Sequence, residues 1–196
     1  MSVIIDTGCA NLTSLKFAVE RLTTQVLVSD DPQTISSADR VFLPGVGSAQ
    51  YAMGVIEEKG LVSVIQNLTQ PVLGICLGMQ MLTSSSSEGD IACLGLISGQ
   101  AKGLPAQGLR LPHMGWNTLS ECNDAPLFHG LSSDDYFYFV HSYAVGLSSS
   151  TIAQCEYGSS FSAAIASNNF MGVQFHPERS SRAGSQLLKN FLEIKI

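Results

Sequence analysis

The chain holds 196 residues, 45% of them hydrophobic, which is enough apolar material for one domain with a sizeable core and excludes a disordered chain. Only 13% are charged, against about 25% in an average globular protein, so part of the surface is neutral and polar or is covered by a partner. Ten Lys and Arg against sixteen Asp and Glu leave a net charge of −6 with no basic run, which argues against binding nucleic acid or a polybasic attachment to membranes.

Residues 3–5 read as a first strand ending at Asp6, without the basic leader or long apolar stretch of a signal peptide. Leu12, Leu15, Val19 and Leu22 follow at helical spacing. Residues 25–29 form a second strand candidate and 40–43 a third, stopped by Pro44-Gly45. Leu61, Val64, Ile65 and Leu68 mark an amphipathic helix, and the wholly apolar 72–75 a fourth strand that enters Cys76. Residues 60–87 carry no charge, yet Gln66, Asn67, Thr69, Gln70 and Pro71 break them up, and no run approaches the roughly 18 apolar residues of a membrane span. This β-α-β-α order predicts an α/β fold, a mostly parallel central sheet with helices on both faces. Ser84 to Ser87 read as a flexible loop. Beyond them helical periodicity fades, and short strand-like pieces at 94–97, 136–141, 152–155 and 161–166, punctuated by Gly, Ser and Pro, predict antiparallel strands. Residues 170–175 form a further strand, and 184–194 a closing helix with Leu187, Leu188, Phe191 and Leu192 inward. No linker or repeat divides residues 1–196, so one domain is expected. The five cysteines, the closest two 17 positions apart, lack a CxxC motif and argue against a disulfide framework, which points to the cytoplasm.

Two segments carry chemistry. Gly74-Ile75-Cys76-Leu77-Gly78 lies where a buried strand turns into a helix expected to begin near Met79. A nucleophile on such a turn is pushed outward, the flanking glycines avoid a Cβ clash, and free N–H groups of the following helix favour thiolate. His176-Pro177-Glu178 follows another strand, and residues two apart on extended chain share a side, so Glu178 can orient the His176 imidazole and stabilise its cation. Both would end at the carboxyl edge of neighbouring strands, and together they predict a Cys76-His176-Glu178 triad. Pro44-Gly45-Val46-Gly47-Ser48 departs from a dinucleotide fingerprint, with Gln50 in its last position. Its backbone N–H groups, with that of Leu77, can instead bind an oxyanion. No cofactor and no metal are expected.

The segments Gly74-Ile75-Cys76-Leu77-Gly78-Met79-Gln80, Pro44-Gly45-Val46-Gly47 and Phe175-His176-Pro177-Glu178 resemble the signature of class I (triad) glutamine amidotransferases, in the right order along the whole chain. The resemblance implies that Cys76 attacks the side-chain amide of L-glutamine, ammonia leaves and a glutamyl thioester is hydrolysed. It further implies that Gly45, Val46, Gly47, Leu77, Gln80, Glu88, His141, Ser142 and Tyr143 surround the glutamine, with Glu88 meeting its amino group. Residues 6–12, 112–117 and 138–143 resemble one branch of that family, the glutaminase subunits of imidazole glycerol phosphate synthases. That branch implies histidine biosynthesis and a heterodimer with a separate (β/α)8-barrel cyclase subunit, which receives ammonia through a channel. It also places Asn11, Met114, Trp116 and Arg179 at the cyclase face. Cys9, Cys93, Cys122, Cys155, His113 and His129 have no catalytic partner in sequence and read as structural. The alternatives are a glutaminase serving another synthase, a non-catalytic regulatory module, and a self-sufficient cysteine hydrolase of γ-glutamyl compounds.

Overall fold

A computed structural model describes residues 1–8, 12–105, 107–122 and 124–195. In chain order, β1 (Ser2–Ile5), α1 (Leu12–Glu20), β2 (Val26–Ser29), α2 (Pro32–Ser36) and β3 (Arg40–Gly45) precede α3 (Ala49–Glu58) and α4 (Val62–Gln66). Next come β4 (Val72–Cys76) and α5 (Leu77–Met81), then the short β5 (Ser85–Ser86), β6 (Ile91–Ala92) and β7 (Gln100–Gly103). The remainder comprises β8 (His113–Thr118), β9 (Tyr136–His141), β10 (Tyr143–Val145), β11 (Thr151–Tyr157), β12 (Ser159–Ser167), β13 (Phe170–Val173) and α6 (Ser181–Glu193). Single 3-10 turns lie at Pro126–Phe128 and Pro177–Arg179.

Seven strands form the central sheet in the order β11-β12-β13-β4-β3-β1-β2. The five from β13 to β2 run parallel, and β12 and β11 extend that sheet antiparallel. The expected α/β class, with antiparallel strands in the second half, is therefore observed. Strand alternation sends successive side chains to opposite faces, and two cores result. Ile4, Phe42, Leu73 and Ile75 point to one core, where they meet Leu15 and Val19 of α1 and Leu187, Leu188 and Phe191 of α6. Val3, Ile5, Val41, Leu43 and Val72 point to the other, with Ile35 of α2, Met53 and Ile56 of α3, Ile65 of α4 and Met79 of α5. Burial on both faces is why β1, β3 and β4 are apolar runs rather than alternating ones. A smaller sheet, β10-β7-β5-β6, and the antiparallel pair β8–β9 stand beside the main one.

Several expected elements differ. β3 does not stop at Leu43 but continues through Pro44, opposite Ile75, and Gly45, opposite Cys76. Its pairing with β1 covers only Arg40 to Phe42, so the N–H that Pro44 lacks is not needed on that side. The helix expected over 61–68 is shortened to α4, and the first helix ends at Glu20, before Leu22. Residues 94–97 are not a strand. The N–H groups of Leu94, Gly95, Leu96 and Ile97 instead bond the carbonyls of Met81, Thr83 and Leu82 where α5 ends, satisfying acceptors that the helix terminus leaves open. The serine run is not a loose loop, since Ser85 and Ser86 pair on both sides, with β6 and β7.

Candidate active site

The sequence Gly74-Ile75-Cys76-Leu77-Gly78 forces β4 to turn straight into α5, which begins at Leu77 rather than near Met79. Cys76 takes φ 54° and ψ −110°, a region costly for any residue with a Cβ and held only because its surroundings over-determine it. Glycines provide that constraint. A Cβ on Gly78 would lie 1.8 Å from the Leu43 carbonyl oxygen, one on Gly74 would lie 2.8 Å from the Gly78 backbone, and one on Gly172 would lie 2.7 Å from Met79. Bare backbone thus lets α5 sit directly against β3, β4 and β13, and the sulfur is lifted to the carboxyl end of the sheet.

β13 is parallel to β4, with Val173 beside Ile75, so the chain leaving β13 reaches the same edge. His176 Nδ1 lies 2.8 Å from Glu178 Oε1, both side chains being about 5% exposed. The segment is not extended as expected. Pro177 opens a 3-10 turn, and it is this turn that brings Glu178 back onto the imidazole. The His176 N–H donates to the Tyr138 carbonyl at 2.9 Å. Ser180 Oγ donates to the His176 carbonyl at 2.6 Å and accepts from the Tyr138 N–H at 3.0 Å. The other ring nitrogen, Nε2, has no hydrogen bond of normal geometry and is left to the Cys76 side. Burial disfavours the imidazolium, but the nearness of Cys76 on one side and the hydrogen-bonded Glu178 carboxylate on the other outweigh it and push the His176 pKa up to about 10. The pair is therefore disposed as an imidazolium beside a sulfur, with a carboxylate behind it.

Cys76 is only 7% exposed, yet it opens onto a cavity of about 340 Å³, within the range of small-molecule sites. Val46, Gly47, Leu77, Gln80, Glu88, His141, Ser142, Tyr143, His176 and Arg179 share this lining with Cys76, Pro112 and Val140. Gly45 does not line it; a Cβ there would lie 2.8 Å from the Gly78 nitrogen, so its place is underneath, against α5. Gly47 has φ +91°, the conformation that suits glycine at the turn after β3. Glu88 Oε2 accepts from the Ala49 N–H at 2.7 Å, which anchors one carboxylate oxygen at the first turn of α3. The buried Gln80 donates through Nε2 to the Tyr143 carbonyl at 2.8 Å and to Gln174 Oε1 at 2.9 Å.

Met114 and Trp116 lie outside the cavity, on β8, 62% and 52% exposed. Arg179 is exposed, its guanidinium 5.1 Å from the centre of the Tyr138 ring. Asn11 and Cys9 fall outside the described residues. Of the other cysteines, Cys155 is buried, Cys93 half-buried and Cys122 exposed. Among the described residues no group of three or more His, Cys, Asp or Glu side chains could hold a metal ion, and no helix is long and apolar enough to cross a membrane.

Sequence reasoning missed Gln174. It is fully buried, and its Nε2 donates to Cys76 Sγ at 3.7 Å, while the thiol faces the Val140 carbonyl at 3.9 Å. The signal was present: Gln174 is an amide in an apolar strand, two residues before His176, and so on the same side of an extended chain.

A model of the family described as glutamine amidotransferase class-I matches residues 3–194. A Colwellia psychrerythraea protein named imidazole glycerol phosphate synthase subunit HisH is 55% identical, covering 98% of this chain and 92% of that one. A protein of the same name from Mannheimia succiniciproducens is 56% identical over 97% and 98% of the two chains. Among solved structures, one titled glutamine amidotransferase superposes with a TM-score of 0.74 at 17% identity, covering 97% of both chains. PurLQS from Thermotoga maritima gives 0.71, also at 17%, over 97% of this chain and 96% of that one. These structural likenesses speak for the fold alone.

Proposed function

Because this chain belongs to the class-I glutamine amidotransferase family, we propose that residues 1–196 form the glutaminase subunit of an imidazole glycerol phosphate synthase, acting in histidine biosynthesis. The observation that carries the reading is the meeting of a strained, cavity-lining Cys76 with the buried His176–Glu178 pair at the ends of adjacent parallel strands.

In this reading the Cys76 thiolate, stabilised by the His176 imidazolium and the Gln174 N–H, attacks the amide carbon of L-glutamine. The carbonyl π electrons move to oxygen, and backbone N–H groups of Leu77 and of the Val46-Gly47 turn receive the oxyanion. As the tetrahedral centre collapses, His176 gives its proton to the departing nitrogen, and ammonia leaves a γ-glutamyl thioester. Neutral His176 then takes a proton from water, whose oxygen attacks the thioester. Collapse releases glutamate and restores the thiolate–imidazolium pair. Glu178 holds the ring in one orientation throughout. Glu88 meets the substrate ammonium, while Gln80, His141, Ser142 and Tyr143 form the wall around the side chain. No cofactor takes part.

Ammonia would pass to a separate (β/α)8-barrel cyclase in a heterodimer, where it completes imidazole glycerol phosphate and an aminoimidazole carboxamide ribotide. A closed route keeps ammonia from protonation and loss to water. Exposed Met114 and Trp116, with Arg179 at the cavity, support this face as the docking surface, and Asn11 is assigned to it by resemblance. The expected location is the cytoplasm. The test is reconstitution with the cyclase: wild type uses glutamine, strongly stimulated by the acceptor nucleotide, whereas Cys76→Ala makes product only from added ammonia. Rapid glutamine hydrolysis by the chain alone, unchanged by the cyclase, would favour the self-sufficient hydrolase instead.

A further inference from the structure

We propose that His113 is a positioning residue for the glutamine cavity, acting through His141 on the carbonyl of Tyr143; the inference rests on the glutaminase reading above. His113 does not line the cavity. It is buried between the rings of Phe139 at 4.8 Å and Tyr157 at 4.0 Å, both nearly parallel to it, and its Nδ1 lies 3.0 Å from His141 Nε2.

The direction of every hydrogen bond in this cluster follows from one atom that can only accept. His141 Nδ1 sits 2.9 Å from the Tyr143 backbone oxygen, so Nδ1 carries the proton. Burial lowers the His141 pKa to about 3 and that of His113 to about 4, so each ring is neutral in ordinary buffer and carries one proton. The titratable side chains bearing on His141 are His113 and His176, and the other rings packed on the two histidines, Phe139, Tyr157 and Phe161, add no charge. With its proton on Nδ1, His141 offers a lone pair at Nε2, and His113 must donate from its own Nδ1. His113 Nε2 is then an acceptor, and the group facing it, at 3.5 Å, is the Asn117 amide nitrogen. That amide cannot be turned round, because its nitrogen also donates to the Glu156 carbonyl and its oxygen accepts from the Thr118 N–H.

The same logic continues beyond Tyr143. Its oxygen accepts from Gln80 as well, so the nitrogen of Gln80 is fixed there, and the Gln174 atom beside that nitrogen must be oxygen. Gln174 is thereby left presenting its N–H to Cys76 Sγ. One placement of protons, set by the Tyr143 carbonyl, runs outward through His141 to His113 and through Gln80 and Gln174 to the sulfur. If the His113 donor is lost, the His141 Nε2 lone pair is buried without a partner, and a ring that shifts to satisfy it strains its bond to the Tyr143 carbonyl. The carbonyl that seats Gln80 then loosens, and glutamine binding weakens before bond-making does.

Two variants separate this role from packing, assayed in the complex with the cyclase and the acceptor nucleotide. His113→Phe keeps the stacked ring and removes the donor. His113→Asn removes most of the ring but can place an amide N–H near the former Nδ1. The expected result is a glutamine KM raised about tenfold by H113F, with kcat within about twofold, and a KM within about threefold of wild type for H113N. The reverse order, equal effects, or no effect of either variant would overturn the proposal. Nitrogen NMR of histidine-labelled wild type gives a readout independent of activity and of how the variants fold: both rings should carry hydrogen on Nδ1, and a proton on Nε2 of either refutes the network. A wild-type complex that shows these tautomers but hydrolyses no glutamine would instead count against the glutaminase reading.

Discussion

Gly78 offers the sharpest test of how the sulfur is placed. An added Cβ would stand 1.8 Å from the Leu43 carbonyl oxygen and 2.8 Å from its carbon, and both clashing parties are main chain, so no side chain can swing aside. Reaching an ordinary carbon–oxygen contact of about 3.3 Å requires α5 to retreat from β3 by about 1.5 Å. Such overpacking costs about 3 kcal/mol, the upper end for extra methyl groups in cores, or a Tm lower by about 6–12 °C in a chain of this size. Cys76 lies two residues before the retreating glycine, and a displacement of about 1 Å at a reacting atom lowers turnover about 100-fold. Gly54, exposed in the middle of α3, has nothing within 4 Å of its own Cβ position. Gly54→Ala should therefore raise stability by about 0.4–1 kcal/mol and leave activity alone. The assay pairs thermal unfolding of both variants with glutamine-dependent and ammonia-dependent synthesis in the complex. Gly78→Ala should lose the first synthesis and keep the second. If it melts within about 2 °C of wild type and uses glutamine normally, close backbone packing is not what sets the elbow.

Glu178→Gln keeps an acceptor for the imidazole but deletes the charge, so the His176 pKa should fall from about 10 by about two pH units, measured by nitrogen NMR titration of the ring. A raised folded-state pKa stabilises the wild type fully below the unfolded value near 6.5, and that contribution disappears as pH climbs through about 10. The stability gap between the two proteins should accordingly be widest near pH 6 and closed above pH 10; a gap that grows with pH would contradict this assignment. In α6, the buried Asn190 donates to the Leu127 and His129 carbonyls at 3.0 and 2.7 Å, so Asn190→Leu should cost about 2–4 kcal/mol in denaturant unfolding with unchanged glutamine KM. A neutral effect would mean that those carbonyls find other donors.

What could be read from the amino-acid order was whatever repeats with a short period or sits in one short segment. Residues 72–75 and 136–141 are legible because apolar or alternating runs reflect burial of a strand directly. The elbow at Cys76 is legible because its glycines are neighbours in sequence. α3 shows its inward face at Ala49, Ala52, Met53 and Ile56, a proper helical spacing, but half of those side chains are too small to stand out from the background. Residues 94–97 misled in the opposite direction: their apolar character records burial, while their backbone partners are the distant carbonyls at the end of α5. Ser85 and Ser86 gain strand character only from Ile91, Ala92, Gln100 and Ala101 beside them. Gln174 and His113 belong to the same class, since the meaning of a buried amide or imidazole lies in which atom it faces across the fold.

The sulfur and the imidazole are not carried in the same way. Cys76 is rooted in the middle of the seven-stranded sheet, while the backbone of His176 is hooked to Tyr138, through its own N–H and through the Ser180 hydroxyl. Tyr138 pairs across with Trp116, so the indole that juts into solvent belongs to the same two-stranded arm to which the His176 backbone is bonded. In the glutaminase reading, a partner pressing on that indole would bear on the arm to which His176 is bonded, and not directly on the strand that carries Cys76.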